Sequence, residues 1–281
     1  MLASLVIVFR EVFEAGLIVG IVLAATRGIA GRGAWITGGI AAGVLGAALL
    51  AGFAGAISGA LKGAGQEVFT ASILIVAVLM LGWHQLWMAS HGREMAREMK
   101  VMGEAVSAGR KSLFALAVVV GVAVLREGAE VVLFLYGIAV SSGETTMSLI
   151  AGGVLGIALG ALVSFLLYRG LVAIPVKRLF SVTGWLIALL AAGMAGQAAA
   201  TLAGADLIPA WGYQLWDTSG LLSEGSIPGR ALHALMGYSD RPMGVQLAAW
   251  LAVLAALVIG ARLVGRGERS RTGAVAQHRI S

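Results

Sequence analysis

The sequence predicts an all-α polytopic membrane protein of seven transmembrane helices, built as two inverted three-helix repeats plus a seventh helix. Three observations predict it. Of 281 residues, 59% are apolar, only 12% are charged and 41 are glycine, where a soluble domain carries about 25% charge and about 7% glycine. Apolar runs long enough to cross a bilayer, roughly 20 residues, recur along the chain. The basic residues collect at alternate ends of those runs.

Taken in order, the predicted spans are 2–26, 34–61, 66–90, 112–141, 147–168, 178–203 and 243–263. The stretches Ala34 to Leu61, Met147 to Tyr168 and Leu179 to Ala205 contain no charged residue. The first span has no basic leader and no small-residue cleavage site, so it is expected to stay in the membrane. Glycine pairs at four-residue spacing, Gly39/Gly43, Gly55/Gly59/Gly63 and Gly152/Gly156/Gly160, suit close helix packing.

The loops 27–33, 91–111 and 169–178 and the tail after Ala261 hold fifteen of the twenty Lys and Arg residues. The three opposite loops hold Lys62, Arg230 and Arg241. Positive loops stay in the cytoplasm, so the N-terminus is expected outside and the C-terminus inside. The basic residues form short anchors at helix ends with no aromatic interleaving, which excludes a nucleic-acid surface. With no cysteine, disulfides, thiolate metal ligands and cysteine nucleophiles are excluded as well.

These features divide the chain into a first repeat at 1–90, a cytoplasmic interfacial helix at 91–111 and a second repeat at 112–203. An extracytoplasmic loop follows at 204–242, then the seventh helix at 243–263 and a basic, unstructured tail at 264–281.

Two spans are interrupted by charge. VFREVFEA places Arg10, Glu11 and Glu14 in the first helix; VLREGAEV places Arg126, Glu127 and Glu130 in the fourth. Each motif opens a set of three spans. Because three is odd, the second set enters from the opposite side, the layout of an inverted repeat with a midplane site. Helical neighbours at i and i+3 share a face, so each glutamate pair projects together, and antiparallel packing of the two helices would bring all four carboxylates to one level. Each arginine stands four residues before a glutamate and can pair with it.

A charge at the bilayer centre costs about 2.5–3.5 kcal/mol on insertion scales, so six of them must face the bundle interior or a wet path. Two arginines neutralise only two of four glutamates. The surplus invites protonation or a bound cation, and carboxylate oxygens suit hard cations. The expected function is translocation of a hard multivalent cation, with Glu11, Glu14, Glu127 and Glu130 as ligands and Arg10 and Arg126 as supporting ion pairs.

VFREVFEAGLIVGI and VLREGAEVVLFLYGI resemble the paired R-E-G-x-E helices of the high-affinity iron permeases. YQLWDTSGLLSEGSIPGRALHALMGYSDRP resembles the last outer loop of their bacterial members. The resemblance covers nearly the whole chain. It implies a permease rather than an enzyme, with ferric or ferrous iron as the transported substrate and no permanently bound cofactor. It also implies a multi-pass location in the inner (cytoplasmic) membrane and a periplasmic iron-binding or oxidase/peroxidase partner. The first motif departs from the pattern at Val12, where the family has glycine, and at Phe13, so a looser helix crossing is expected there. Alternatives within the same architecture are a lead or manganese permease, or an intramembrane carboxylate metalloenzyme. No E-x-x-H occurs in either motif to favour the latter.

Secondary candidates for cation entry or exit are Glu67 at the outer start of the third helix and His84 late in it, with Asp217 and Glu224 in the outer loop. Plain alternatives stand beside each: a solvated helix-start carboxylate, a hydrogen-bonded interior histidine and an aromatic-anchored loop.

Overall fold

The computed structural model describes residues 1–60, 66–142, 145–170 and 176–277. Among these residues it is wholly helical: α1 (Leu2–Ala25), α2 (Arg32–Ala60), α3 (Gln66–Ser107), α4 (Leu113–Ser142), α5 (Thr146–Tyr168), α6 (Val176–Gly204), the short α7 (Ile227–Met236) and α8 (Gly244–Gln277). Gly63 of the predicted glycine series and Lys62 lie outside the described residues.

Five helices are long and apolar enough to cross a membrane, over 32–53, 67–88, 146–168, 180–204 and 244–264. The chain is a multi-pass membrane protein. α1 and α4, at 24 and 30 residues, have the length but carry the two charged motifs.

Two boundaries differ from expectation. α3 runs unbroken to Ser107, so residues 91–107 continue it where a separate interfacial helix was expected. The segment REMAREMKVMGEAVS consists largely of strong helix formers, with the exposed Lys100–Glu104 pair at i,i+4 spacing (3.8 Å). α8 likewise continues past the predicted span end to Gln277, into the tail expected to be unstructured.

The chain divides into two compact units, Met1–Gln66 with Met95–Thr183, and Glu67–Glu94 with Gly184–Ser281. The units cut across the predicted repeats: residues 67–94 of α3 and most of α6 fall in the second.

In the first unit α1 packs along α5, α2 along α4, and α1 against α4. Glycine makes the first two contacts close. A Cβ on Gly156 of α5 would stand 2.8 Å from the Leu5 carbonyl oxygen and 2.9 Å from the Phe9 nitrogen. A Cβ on Gly43 of α2 would stand 2.7 Å from the Gly121 carbonyl oxygen and 2.9 Å from the Leu125 nitrogen. The matched residues are separated by 121 − 5 and 125 − 9, both 116, and the motif glutamates by the same 127 − 11 = 116. In both pairs residue numbers rise together, so the helices run parallel.

α1 and α4 run the other way. Val22, late in α1, shares a buried cluster with Leu116 and Val120, early in α4, while Glu11 meets Glu127 and Glu130 further along. That antiparallel crossing was expected, and it brings the two motifs together.

In the second unit α3 and α8 run parallel: Gly82 faces Leu257 and Gly260 faces Leu86. α6 runs antiparallel to α8, with Gly196 against Gln246 and Trp250 and Ala199, Ala203 and Val245 buried together. α7 is capped by Ser226, whose hydroxyl accepts from the Gly229 amide at 3.1 Å. It ends at Gly237 (φ 70°), and a Cβ on Gly193 of α6 would come within 2.6 Å of the Gly237 nitrogen. The left-handed turn and the close approach both require glycine at 237. Trp250 completes the dock by donating its indole N–H to the Met236 carbonyl at 2.7 Å.

Candidate metal centre

Both charged motifs lie on helices of the first unit. On α1, Arg10, Glu11 and Glu14 are all buried. Arg10 forms an ion pair with Glu14, Nε to Oε1 at 2.8 Å, and Arg10 Nη1 stands 3.8 Å from Glu11. On α4, Arg126 Nε donates to Glu130 at 3.2 Å and stands 3.9 Å from Glu127. The two motifs therefore repeat the same ion pairing: arginine with the glutamate four residues on, and the adjacent glutamate just beyond hydrogen-bond reach.

Three carboxylates converge between the helices. Glu11, Glu127 and Glu130 are buried, and each offers one oxygen within 4.8 Å of the others. Three oxygens 4.8 Å apart lie about 2.8 Å from their common centre, so inward movements of up to about 0.7 Å each would let one hard cation with bonds of ~2.1 Å bridge all three. Two carboxylates 4.8 Å apart repel by about 3 kcal/mol at an effective dielectric of ~20. A multivalent cation among them reverses that sign. Glu14 is buried but outside this set, held by Arg10. The sequence placed all four glutamates at one level, whereas the helix crossing selects three.

Phe13, between the two glutamates of α1, is fully buried. It stacks on Phe9 at 6.1 Å and meets Phe180 of α6 at 5.6 Å, which walls that face of the motif with aromatic rings. Val12 does not loosen the crossing. It faces Gly160 of α5, where a Cβ would stand 3.0 Å from the Val12 Cβ. Gly128 occupies the equivalent place on α4 (128 − 12 = 116) and faces the Cβ of Ala47 on α2. The small partner changes sides, and both crossings stay close. Four-residue glycine spacing was the sequence signal for Gly160, but its complementarity to Val12 was missed.

The secondary candidates Glu67, His84, Asp217 and Glu224 all belong to the second unit. Glu67 is exposed in the first turn of α3, where a carboxylate favours the helix dipole. His84 is buried on α3 in the second unit, beside Gln85, whose amide donates to the Gly184 carbonyl at 2.7 Å. Asp217 accepts from the Ser219 amide at 2.9 Å and from Arg241 at 3.0 Å. Those bonds to Ser219, then to Arg241, hold its carboxyl below the ordinary value of 3.8. Glu224 lies 3.1 Å from His233 Nδ1, which also bonds the Tyr238 carbonyl at 2.8 Å. Asp240 accepts from the Glu224 amide at 3.0 Å. These acids hold the loop in shape.

The long apolar helices are those of a multi-pass membrane protein, and the buried carboxylates could hold a cation. The chain belongs to the iron permease FTR1 family, whose model matches residues 1–270. It is 32% identical over 286 residues to the ferrous iron permease EfeU of Escherichia coli O6:H1, covering 96% of this chain and all of that protein. It is 31% identical over 263 residues to EfeU of Shigella sonnei, covering 90% and 92%. No solved structure matches the chain.

Proposed function

We propose that this protein imports iron across the cytoplasmic membrane through a site between α1 and α4, with Glu11, Glu127 and Glu130 as direct ligands. The observation that carries the proposal is the convergence of three buried carboxylate oxygens within 4.8 Å from two helices that each also carry an arginine–glutamate ion pair. Glu14 serves the site through Arg10, and Glu130 is shared between Arg126 and the ion.

Seven spans with the N-terminus outside account for the helix directions. Consecutive spans alternate, so parallel neighbours must lie an even number of spans apart. The pairs α1/α5 and α2/α4 and the third and seventh long helices, α3 and α8, obey that. The matching 116-residue register supports two inverted repeats, and midplane sites between such repeats suit alternating access. The arginines hold the glutamates apart while the site is empty, and an arriving cation loosens the pairing between Arg126 and Glu130.

The EfeU relatives are named for ferrous iron, and we carry that valence to this chain as the substrate that reaches the site. Three carboxylates hold ferrous or ferric iron, so oxidation by an extracytoplasmic oxidase or peroxidase partner is compatible with the same ligands.

The test is radioactive iron uptake into cells lacking other importers. Wild-type protein should restore uptake, and Glu127→Gln should abolish it at equal membrane level. Unimpaired uptake by Glu127→Gln would refute the site. Accumulation of manganese or lead with no iron would refute the substrate.

A further inference from the structure

The two motifs share their ion pairing but not their surroundings. The Arg10 side chain is 4% exposed and that of Arg126 is 36% exposed, while Glu11, Glu14, Glu127 and Glu130 stand at 0, 1, 4 and 10%. Arg126 is thus the one open position among the six charged groups of the site, and Glu130, its hydrogen-bond partner, is the next most open. Arg126 lies thirteen residues into the 30 of α4, about 20 Å from the helix start. A guanidinium facing hydrocarbon at mid-span is costly, and such groups instead face a water-filled cavity or a protein partner.

We propose that water and the incoming cation reach the carboxylates from the α4 side, past Arg126, which is the movable arginine of the pair, and that Arg10 is a fixed post. This rests on the reading of the first unit as the transport site. Arg10, enclosed in protein, cannot leave Glu14 without stranding a buried charge. Arg126 can swing into water and remain solvated, freeing Glu130 and Glu127 for a cation. A cation passing a fixed guanidinium would be repelled, so the open arginine has to be the one that moves.

The chain has no cysteine, so single introduced thiols report their own surroundings. Ala123 lies one turn before Arg126 on the same face of α4 and is partly exposed, and its equivalent on α1 (123 − 116 = 7) is Ile7, which is fully buried. Ala123→Cys keeps all six charges. Its reaction with a charged, membrane-impermeant methanethiosulfonate should be at least tenfold faster than that of Ile7→Cys, from one face of sealed membrane vesicles. Ferrous iron should slow it severalfold. Arg126→Cys should label at least as fast, covering the case in which Ala123→Cys misfolds.

Equal rates at positions 7 and 123, or no labelling of either α4 thiol from either face, would overturn the proposal. Oxidative cross-linking of Ala123→Cys into dimers without labelling would also overturn it, assigning the opening to a second copy of the chain. The transport reading is tested separately by the loss of uptake in Glu127→Gln.

Discussion

Val12 of α1 sits against Gly160 of α5 so closely that a Cβ on Gly160 would stand 3.0 Å from that of Val12, and 2.9 Å from the Phe9 carbonyl oxygen. At the equivalent crossing Gly128 faces Ala47. The close approach of a glutamate-bearing helix is thus met by a small residue on the opposite helix in one half and on its own helix in the other.

Gly160→Ala should therefore destabilise the protein by about 1–3 kcal/mol, the usual cost of overpacking, and lower uptake. Adding Val12→Gly should recover much of both, because the double variant rebuilds the Gly128–Ala47 arrangement on α1 and α5. Melting temperatures in detergent across the four-member cycle measure the coupling, which should reach 1 kcal/mol or more. Strict additivity would show that the two residues do not share a contact.

Glu14 and Glu127 should fail differently. Glu14→Gln strips the buried Arg10 of its 2.8 Å partner, and breaking a buried pair from one side costs about 3–5 kcal/mol, so the protein level in membranes should fall. Arg10→Gln together with Glu14→Gln should restore that level in part. Glu127→Gln should leave the level near wild type while uptake is lost. Immunoblots of membranes beside uptake assays separate the two outcomes.

Iron or manganese should raise the melting temperature of the purified protein in a concentration-dependent way, since a ligand bound only by the folded state stabilises it. At one hundred times its dissociation constant an ion contributes about 2.7 kcal/mol. The triple variant Glu11→Gln, Glu127→Gln, Glu130→Gln should show no metal-dependent shift. An undiminished shift in that variant would place binding elsewhere.

The outer loop should be acid-sensitive through Asp217. Its carboxyl is held below 3.8, first by hydrogen bonds from Ser219 and then by Arg241. A depressed folded-state value means that its contribution to loop order is complete above 3.8 and is lost as the pH falls below that toward the folded value. Limited proteolysis with an acid-active protease should show cleavage within 204–242 rising over that window. Asp217→Asn should be cleaved more readily at higher pH and respond less to acid.

Much of this protein was legible in its sequence. Each long helix was foreseen within about two residues at its start, because long apolar runs bounded by basic residues leave few alternatives in a bilayer. The ends of α3 and α8 were not foreseen, since hydropathy marks where a helix leaves the apolar region and not where its hydrogen bonding stops. The motif residues were found because charge inside an apolar run has little reason to be there other than function.

The sequence alone determined the membrane class, the six charged motif residues and the two-motif spacing, all of which follow from local composition and from the high cost of charge in hydrocarbon. Only the tertiary structure decided which three of four glutamates meet, that Gly160 yields to Val12, and that Arg10 is enclosed while Arg126 is open. Those outcomes depend on how α1, α2, α4 and α5 cross one another, a matter of contacts between residues more than a hundred positions apart that no local pattern encodes.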